Sequence, residues 1–134
     1  MILPPIADGE PVTLRFWAVT GVYQELEMYK LLAADFEKQT GIRVRVTPLG
    51  WGNFATKYLT AMAAGVPPDV GVTNLGGPVE YGRVGGVLDL RESFPEEIAE
   101  FEAEFFPKLL PGFTFRGKLF GLPASLTTMA VFYR

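Results

Sequence analysis

Hydrophobic and polar positions alternate along two segments of the chain. In residues 12–17 (VTLRFW), Val, Leu and Phe alternate with Thr, Arg and Trp. Residues 42–49 (IRVRVTPL) alternate in the same way. A period of two residues is typical of β-strands with one face more buried than the other. The short apolar segment 69–73 (DVGVT), bounded by Pro-Pro and Asn-Leu-Gly-Gly, predicts a third strand.

Between these strands the apolar positions recur at helical spacing. From Val22 to Phe36 they step by four and three residues, and Gly41 marks the end of this helix. Asn53 is placed to cap a second helix, and residues 78–83 predict a short third one. Successive strand–helix–strand units predict an α/β fold with a mostly parallel central sheet flanked by helices, because such crossovers place helices on the sheet faces.

The second half of the chain predicts an acidic helix and a hairpin. Ser93 with Glu96 resembles a capping box that would begin the helix, and Arg116-Gly117 is typical of a hairpin turn. A last strand is predicted over residues 129–133. The glutamates of the acidic helix are expected on its solvated outer face. They are Glu96, Glu97, Glu100, Glu102 and Glu104.

Neutral polar side chains follow the first and third predicted strands. Thr20 and Tyr23 come after the first strand, and Thr73 and Asn74 come after the third. Because the carboxyl ends of parallel strands meet at one edge, we expect both pairs to line the same crevice. Trp51, after the second strand, either stacks on the apolar face of a sugar ring or closes the core over the second helix. The sequence leaves both interpretations open.

A competing pattern covers the same region. Gly50 to Ala55 (GWGNFA) matches G-x-G-x-x-A, and Asp69 follows about twenty residues later, as in dinucleotide-binding folds. Against this hypothesis, the glycines follow the second strand, Trp51 is bulky where a pyrophosphate would approach, and Asp69 begins a strand instead of ending one. A nucleotide-binding, Rossmann-like enzyme domain is therefore the alternative prediction.

Composition narrows the possible chemistry. The 134 residues include no cysteine and no histidine, which excludes thiolate or imidazole nucleophiles, disulfides and most transition-metal sites. The 12 basic side chains are scattered and the net charge is -3, so nucleic acid is not an expected partner. We expect no catalytic residues, no metal and no cofactor. Residues 1–11, a Pro-rich lead, lack the pattern of an export signal.

Several motifs in a fixed order resemble a known family. They are VTLRFW, KLLAADFEKQTGIRVRV, FATKYLTAMAAGVPPDV, GGVLDL and GKLFGLPASLTTMAVFYR. Together they make residues 12–134 similar to the family 1 extracellular solute-binding proteins, the group that includes maltose-binding protein and other sugar receptors. The A-x-G-x-P-P-D-V and G-K-L-F-G-L-P stretches carry most of the resemblance.

This resemblance implies a type II periplasmic-binding-protein-like fold and a function without catalysis. Such proteins hold a solute, here expected to be a carbohydrate, between two α/β lobes and deliver it to ABC permease subunits. The expected location is periplasmic or extracellular, at the membrane through the transporter. Residues 12–134 would form the amino-terminal lobe. Its predicted ligand-binding side chains are Thr20, Tyr23, Trp51, Thr73, Asn74 and Ser125.

Relatives of this kind continue into a second lobe, which this sequence does not contain. One wall of the cleft would then be missing, so we expect weak or no solute binding by these 134 residues alone. Apolar surface that a later segment covers in relatives would favour self-association.

Overall fold

The computed structural model describes residues 12–104 and 108–125. It divides the chain into two compact units, the first ending at Thr73 and the second beginning at Asn74. The elements of the first unit are β1 (Thr13–Val19), α1 (Tyr23–Thr40), β2 (Arg43–Leu49), α2 (Phe54–Ala63) and β3 (Val70–Gly71).

The three strands of the first unit form one sheet in the order β2-β1-β3. Both pairings are parallel, as the strand–helix–strand pattern predicts. The register runs from Thr13 opposite Arg43 to Val19 opposite Leu49, and Phe16 lies opposite Val70. The third strand is shorter than predicted, since only Val70–Gly71 is paired.

The sheet of the first unit lies between two helices. On one face the Phe16 ring meets Tyr29 of α1 edge-on at 5.3 Å, and on the other Trp17 meets Tyr58 of α2 at 5.0 Å. Phe16 and Trp17 are adjacent in β1, and they point to opposite faces because side chains alternate along a strand. Exposed Arg43 and Arg45 alternate with half-buried residues along β2, as predicted.

Helix α1 ends where the sequence predicts. Gly41 adopts the left-handed conformation at φ 75°, and its N–H donates to Glu37 O at 2.8 Å. Asn53 precedes α2, but its side chain makes no capping hydrogen bond, so the predicted cap is wrong. The inward positions of α1, all half-buried, are Leu26, Tyr29, Ala33 and Phe36.

The second unit consists of short helices and a hairpin. Its elements are α3 (Gly77–Arg83), α4 (Leu90–Ser93), α5 (Pro95–Glu104), a 3-10 turn (Leu110–Phe113), β4 (Thr114–Phe115) and β5 (Lys118–Leu119). Arg116 and Gly117, which join β4 to β5, have φ of 52° and 81°. Positive φ at both central residues is the type I′ pattern of tight hairpins. The core of this unit contains Ile98, Leu110, Phe113 and Leu119.

Two expectations for the acidic helix are corrected by the structure. Glu102 is not solvated with the other glutamates, because its Oε1 accepts a hydrogen bond from Arg91 at 2.6 Å. Arg91 also donates to Gly117 O at 2.8 Å, which connects α4, α5 and the hairpin. Ser93 ends α4 and α5 begins at Pro95, so the predicted capping box does not form.

The predicted strand 129–133 lies outside the described residues. Within the part of the chain that the structure describes, no helix combines the length and apolar character needed to span a membrane.

The packing around β3 leaves no room for a side chain at Gly71. A Cβ there would lie 1.9 Å from the Tyr58 hydroxyl oxygen. That hydroxyl donates to Val72 O at 3.1 Å and lies 3.4 Å from Trp17 O, and Tyr58 is only 4% exposed. Tyr58 therefore connects α2 to the backbone of β1 and to the residue after β3.

We predict that Gly71→Ala destabilises the protein by about 1–3 kcal/mol, because Tyr58 must move and lose its contacts. Urea unfolding measures the change in the free energy of unfolding. Gly50→Ala is the matched control, since a Cβ at Gly50 has no heavy atom within 4 Å. Equal effects of the two substitutions would show that the Tyr58 contact is not the cause.

Candidate functional site

The loops that follow the strands of the first unit begin at one edge of the sheet. β1 and β2 end at Val19 and Leu49, which are register partners, and Thr20 N donates to Leu49 O at 3.0 Å. β3 runs parallel to β1 and ends at Gly71. This carboxyl-end edge is where ligands bind in open α/β sheets.

Trp51 lies in the loop after β2 and is partly packed and partly exposed. Its indole meets the Phe54 ring edge-on at 5.4 Å. A Cβ added at Gly21 would lie 3.3 Å from Trp51 Cδ1, so the backbone after β1 runs close against the indole. The side chain is nevertheless 48% exposed. Both interpretations of Trp51 thus have support, since it covers Phe54 and also presents aromatic surface.

Thr20 is fixed by hydrogen bonds at the start of α1. Its hydroxyl oxygen accepts from Val22 N at 3.1 Å, and the hydroxyl donates to the carboxylate of Glu25. Tyr29 OH lies 3.4 Å from the other oxygen of that carboxylate. Burial raises the pKa of Tyr29, and the negative charge of Glu25 raises it further. Thr20, Glu25 and Tyr29 therefore form one polar cluster beside the loop.

The other predicted residues of the first unit differ in exposure. Tyr23 is the first residue of α1 and is 72% exposed. Thr73 is half-buried two residues after β3. Both follow strands that end at the edge described above, and their roles as ligand-binding residues stay predictions.

Asn74 and Ser125 belong to the second unit. The side chain of Asn74 accepts a hydrogen bond from Gly77 N at 2.9 Å, which holds the start of α3. Ser125 is exposed and lies outside any helix or strand. Their roles as ligand-binding residues stay predictions.

Asp69, the acid of the dinucleotide pattern, lies at the other end of its strand. It precedes β3, where its carboxylate accepts from Arg15 N at 2.7 Å and from Arg15 Nε at 3.3 Å. An acid that recognises a ribose would sit at the carboxyl end. The geometry therefore disfavours a dinucleotide site at Gly50 to Ala55. Among the described residues, no group of three or more Asp, Glu, His or Cys side chains could hold a metal ion.

Sequence reasoning missed two residues of this edge. Gly21 matters through its close approach to Trp51, which no local pattern signals. Glu25 was not among the residues predicted for the site. Its place in the first turn of the helix, five residues after Thr20, was the available signal, because carboxylates there often interact with the preceding loop.

A model of the bacterial extracellular solute-binding protein family matches residues 23–134. Among curated protein sequences no match was found.

Solved structures of solute-binding proteins share the fold. One is an ABC transporter solute-binding protein from Thermotoga lettingae bound with α-D-tagatose (29% identity, TM-score 0.74, 84% of this chain and 28% of that chain). Another is the sugar-binding protein MalE from Xanthomonas citri (30% identity, TM-score 0.74, 84% of this chain and 28% of that chain). The Thermus thermophilus maltotriose-binding protein, at 24% identity, shows the fold alone (TM-score 0.71, 82% of this chain and 28% of that chain). The chain spans about 28% of the length of each.

We predict that the Arg15–Asp69 pair makes stability depend on pH in the acid range. Hydrogen bonds from Arg15 hold the pKa of Asp69 below its ordinary 3.8, so the stabilisation is present above pH 3.8 and is lost as the pH falls through the folded-state value. The pair is exposed, so its contribution is at most about 1 kcal/mol.

Urea unfolding at several pH values should show wild type more stable than Asp69→Asn at pH 7, with the difference shrinking below pH 4. In an Arg15→Gln background, Asp69→Asn should change the free energy of unfolding at pH 7 by less than it does in the wild-type background, because the ion pair needs both partners. A difference that does not change with pH would contradict the prediction.

Proposed function

Because the chain belongs to the bacterial extracellular solute-binding protein family, we propose that it forms one wall of a carbohydrate-binding site in a receptor of an ABC importer. The family consists of solute-binding proteins, not of enzymes, and the fold is that of type II periplasmic binding proteins. The observation that carries the proposal is the close approach of Gly21, in the loop after β1, to the half-exposed indole of Trp51, in the loop after β2.

The chemistry of this edge suits a neutral sugar. An indole supported on one side offers its face to the apolar face of a pyranose ring, and nearby hydroxyl and amide groups exchange hydrogen bonds with the sugar hydroxyls. In this proposal Trp51 is the platform, and Thr20, Tyr23 and Thr73 are polar contacts from the same unit. Asn74 and Ser125, which lie in the second unit, stay sequence-based predictions as ligand contacts.

The carbohydrate class draws support from structural neighbours. The solved structures from Thermotoga lettingae and Xanthomonas citri are described as bound with tagatose and as a sugar-binding protein, respectively. We propose that the protein works in the periplasm or outside the cell, with a second lobe and the ABC permease subunits as partners. Self-association of the 134-residue chain stays a prediction that light scattering would test, and a monomer across the micromolar range would contradict it.

We predict that sugars change the fluorescence of Trp51. The chain spans about 28% of the length of its solved neighbours, so in this proposal it supplies only part of the ligand contacts. The affinity should then be in the millimolar range, and the chain is titrated with D-tagatose and maltotriose up to about 100 mM. A saturable change in emission is expected because the indole moves from water to a sugar face.

Trp51→Phe should remove the signal, whereas Trp17→Phe should keep it, since Trp17 packs against Tyr58 between β1 and α2. A signal that survives in Trp51→Phe and disappears in Trp17→Phe would overturn the assignment of Trp51. NADH as a third titrant tests the dinucleotide alternative, and its saturable binding with loss on Gly52→Val would favour that alternative.

A further inference from the structure

The hydroxyl of Thr20 has only acceptor capacity left for a ligand. A threonine hydroxyl supplies one hydrogen and two acceptor lone pairs. The hydrogen is directed at Glu25, with Val22 O at 3.1 Å as the other acceptor within reach, and Val22 N occupies one lone pair at 3.1 Å. What remains is one lone pair, which can receive a hydrogen bond but cannot give one.

The neighbouring carboxylate of Glu25 can likewise only accept hydrogen bonds. Glu25 is half-buried, and each of its oxygens already faces one protein hydroxyl, from Thr20 and Tyr29. An ionised carboxylate has about four acceptor sites and no donor, so roughly two remain. Within residues 12–104 and 108–125, no lysine or arginine forms an ion pair with Glu25. Its negative charge is therefore not neutralised by a cationic partner there.

This pair of acceptors lies beside the aromatic surface of the candidate site. Thr20 N is bonded to the last residue of β2 at 3.0 Å, and the next residue, Gly21, packs against the Trp51 indole. A sugar that stacks on Trp51 would bring its ring substituents to the side where Thr20 lies. Donor groups on that sugar would be satisfied there, whereas an anionic group would meet the field of the carboxylate.

We propose that Thr20 and Glu25 form an acceptor-only subsite beside Trp51, which selects neutral sugars through their hydroxyl hydrogens and rejects sugars that carry a carboxylate or phosphate. This inference rests on the proposed function, because it specifies which hydrogen-bonding groups and which charge a ligand of the same site may carry. Glu25 acts here as a specificity-determining residue. A residue that only fixed the start of α1 would affect stability but not the charge preference of the site.

The test compares sugars that differ in one group. The chain is titrated with D-galactose, D-galacturonate and D-galactosamine, and with the matching glucose series, by ¹H–¹⁵N NMR. The Trp51 indole N–H and the amides of Thr20 and Gly21 report binding. The uronates should bind about ten-fold more weakly than the neutral sugars, because the Glu25 carboxylate repels their negative charge. The amino sugars should bind at least as tightly as the neutral ones, because the same carboxylate attracts their positive charge.

Glu25→Gln should reduce the discrimination between galactose and galacturonate to within about three-fold, because the charge is removed and an amide donor is added. Glu27→Gln is the matched control, since Glu27 lies two residues further along α1 and pairs with Lys30 at 2.8 Å, and it should keep the wild-type discrimination. The wild-type comparison needs no variant, and the dispersion of the NMR spectrum shows whether Glu25→Gln is folded.

Uronates that bind as tightly as the neutral sugars would overturn the inference while leaving the carbohydrate site in place. The same holds if Glu25→Gln folds and keeps the full discrimination. If no sugar of either series shifts the Trp51 and Thr20 signals up to about 100 mM, the proposal that this chain by itself offers a sugar-binding wall around Trp51 fails, and the subsite fails with it.

Discussion

The parallel pairing of β1 with its two neighbours is the constraint on which the first unit depends. Parallel neighbours must be joined by crossovers, so α1 and α2 have to pass over the sheet, and they cover opposite faces. The same pairing puts the ends of the strands at one edge. A slip of one residue would exchange Phe16 and Trp17 between the two faces and remove both aromatic contacts with the helices.

Helix α2 connects this framework to the candidate site. Tyr58 fills the space left by Gly71 and bonds to the backbone after β3, while Phe54, at the start of the same helix, supports the indole of Trp51. One short helix thus fixes the end of the third strand and the orientation of the aromatic surface. A supported aromatic side chain loses little conformational freedom when a ligand contacts it, which favours binding.

The polar side of the site depends on the first turn of α1. Thr20 would be an ordinary loop hydroxyl, able to donate or accept, if its hydrogen were free to rotate toward a ligand. The Glu25 carboxylate takes that hydrogen and so gives the loop a definite polarity. Membership of a solute-binding family explains why such an edge would face a small molecule, although the family by itself does not specify which groups the molecule must carry.

The sequence by itself determined the elements whose signals are local. The alternation in β1 and β2, the apolar stripe of α1 and its end at Gly41 all follow from side-chain period and backbone preference over a few residues. The family motifs were also readable, because they are contiguous stretches in a fixed order. Thr20 and Trp51 were predicted at one edge because parallel strands impose it.

Only the tertiary structure decided which side chains meet across long separations. Glu102 was predicted to be solvated with the other glutamates, yet Arg91, eleven residues earlier, bonds it, since the packing of α4 on α5 brings the two together. Asn53 and Ser93 have suitable side chains for capping, but neither makes the predicted bonds. The closeness of Gly21 to Trp51 likewise depends on how two loops pack. Contacts of this kind arise from the three-dimensional arrangement of whole elements, and a local pattern carries no information about them.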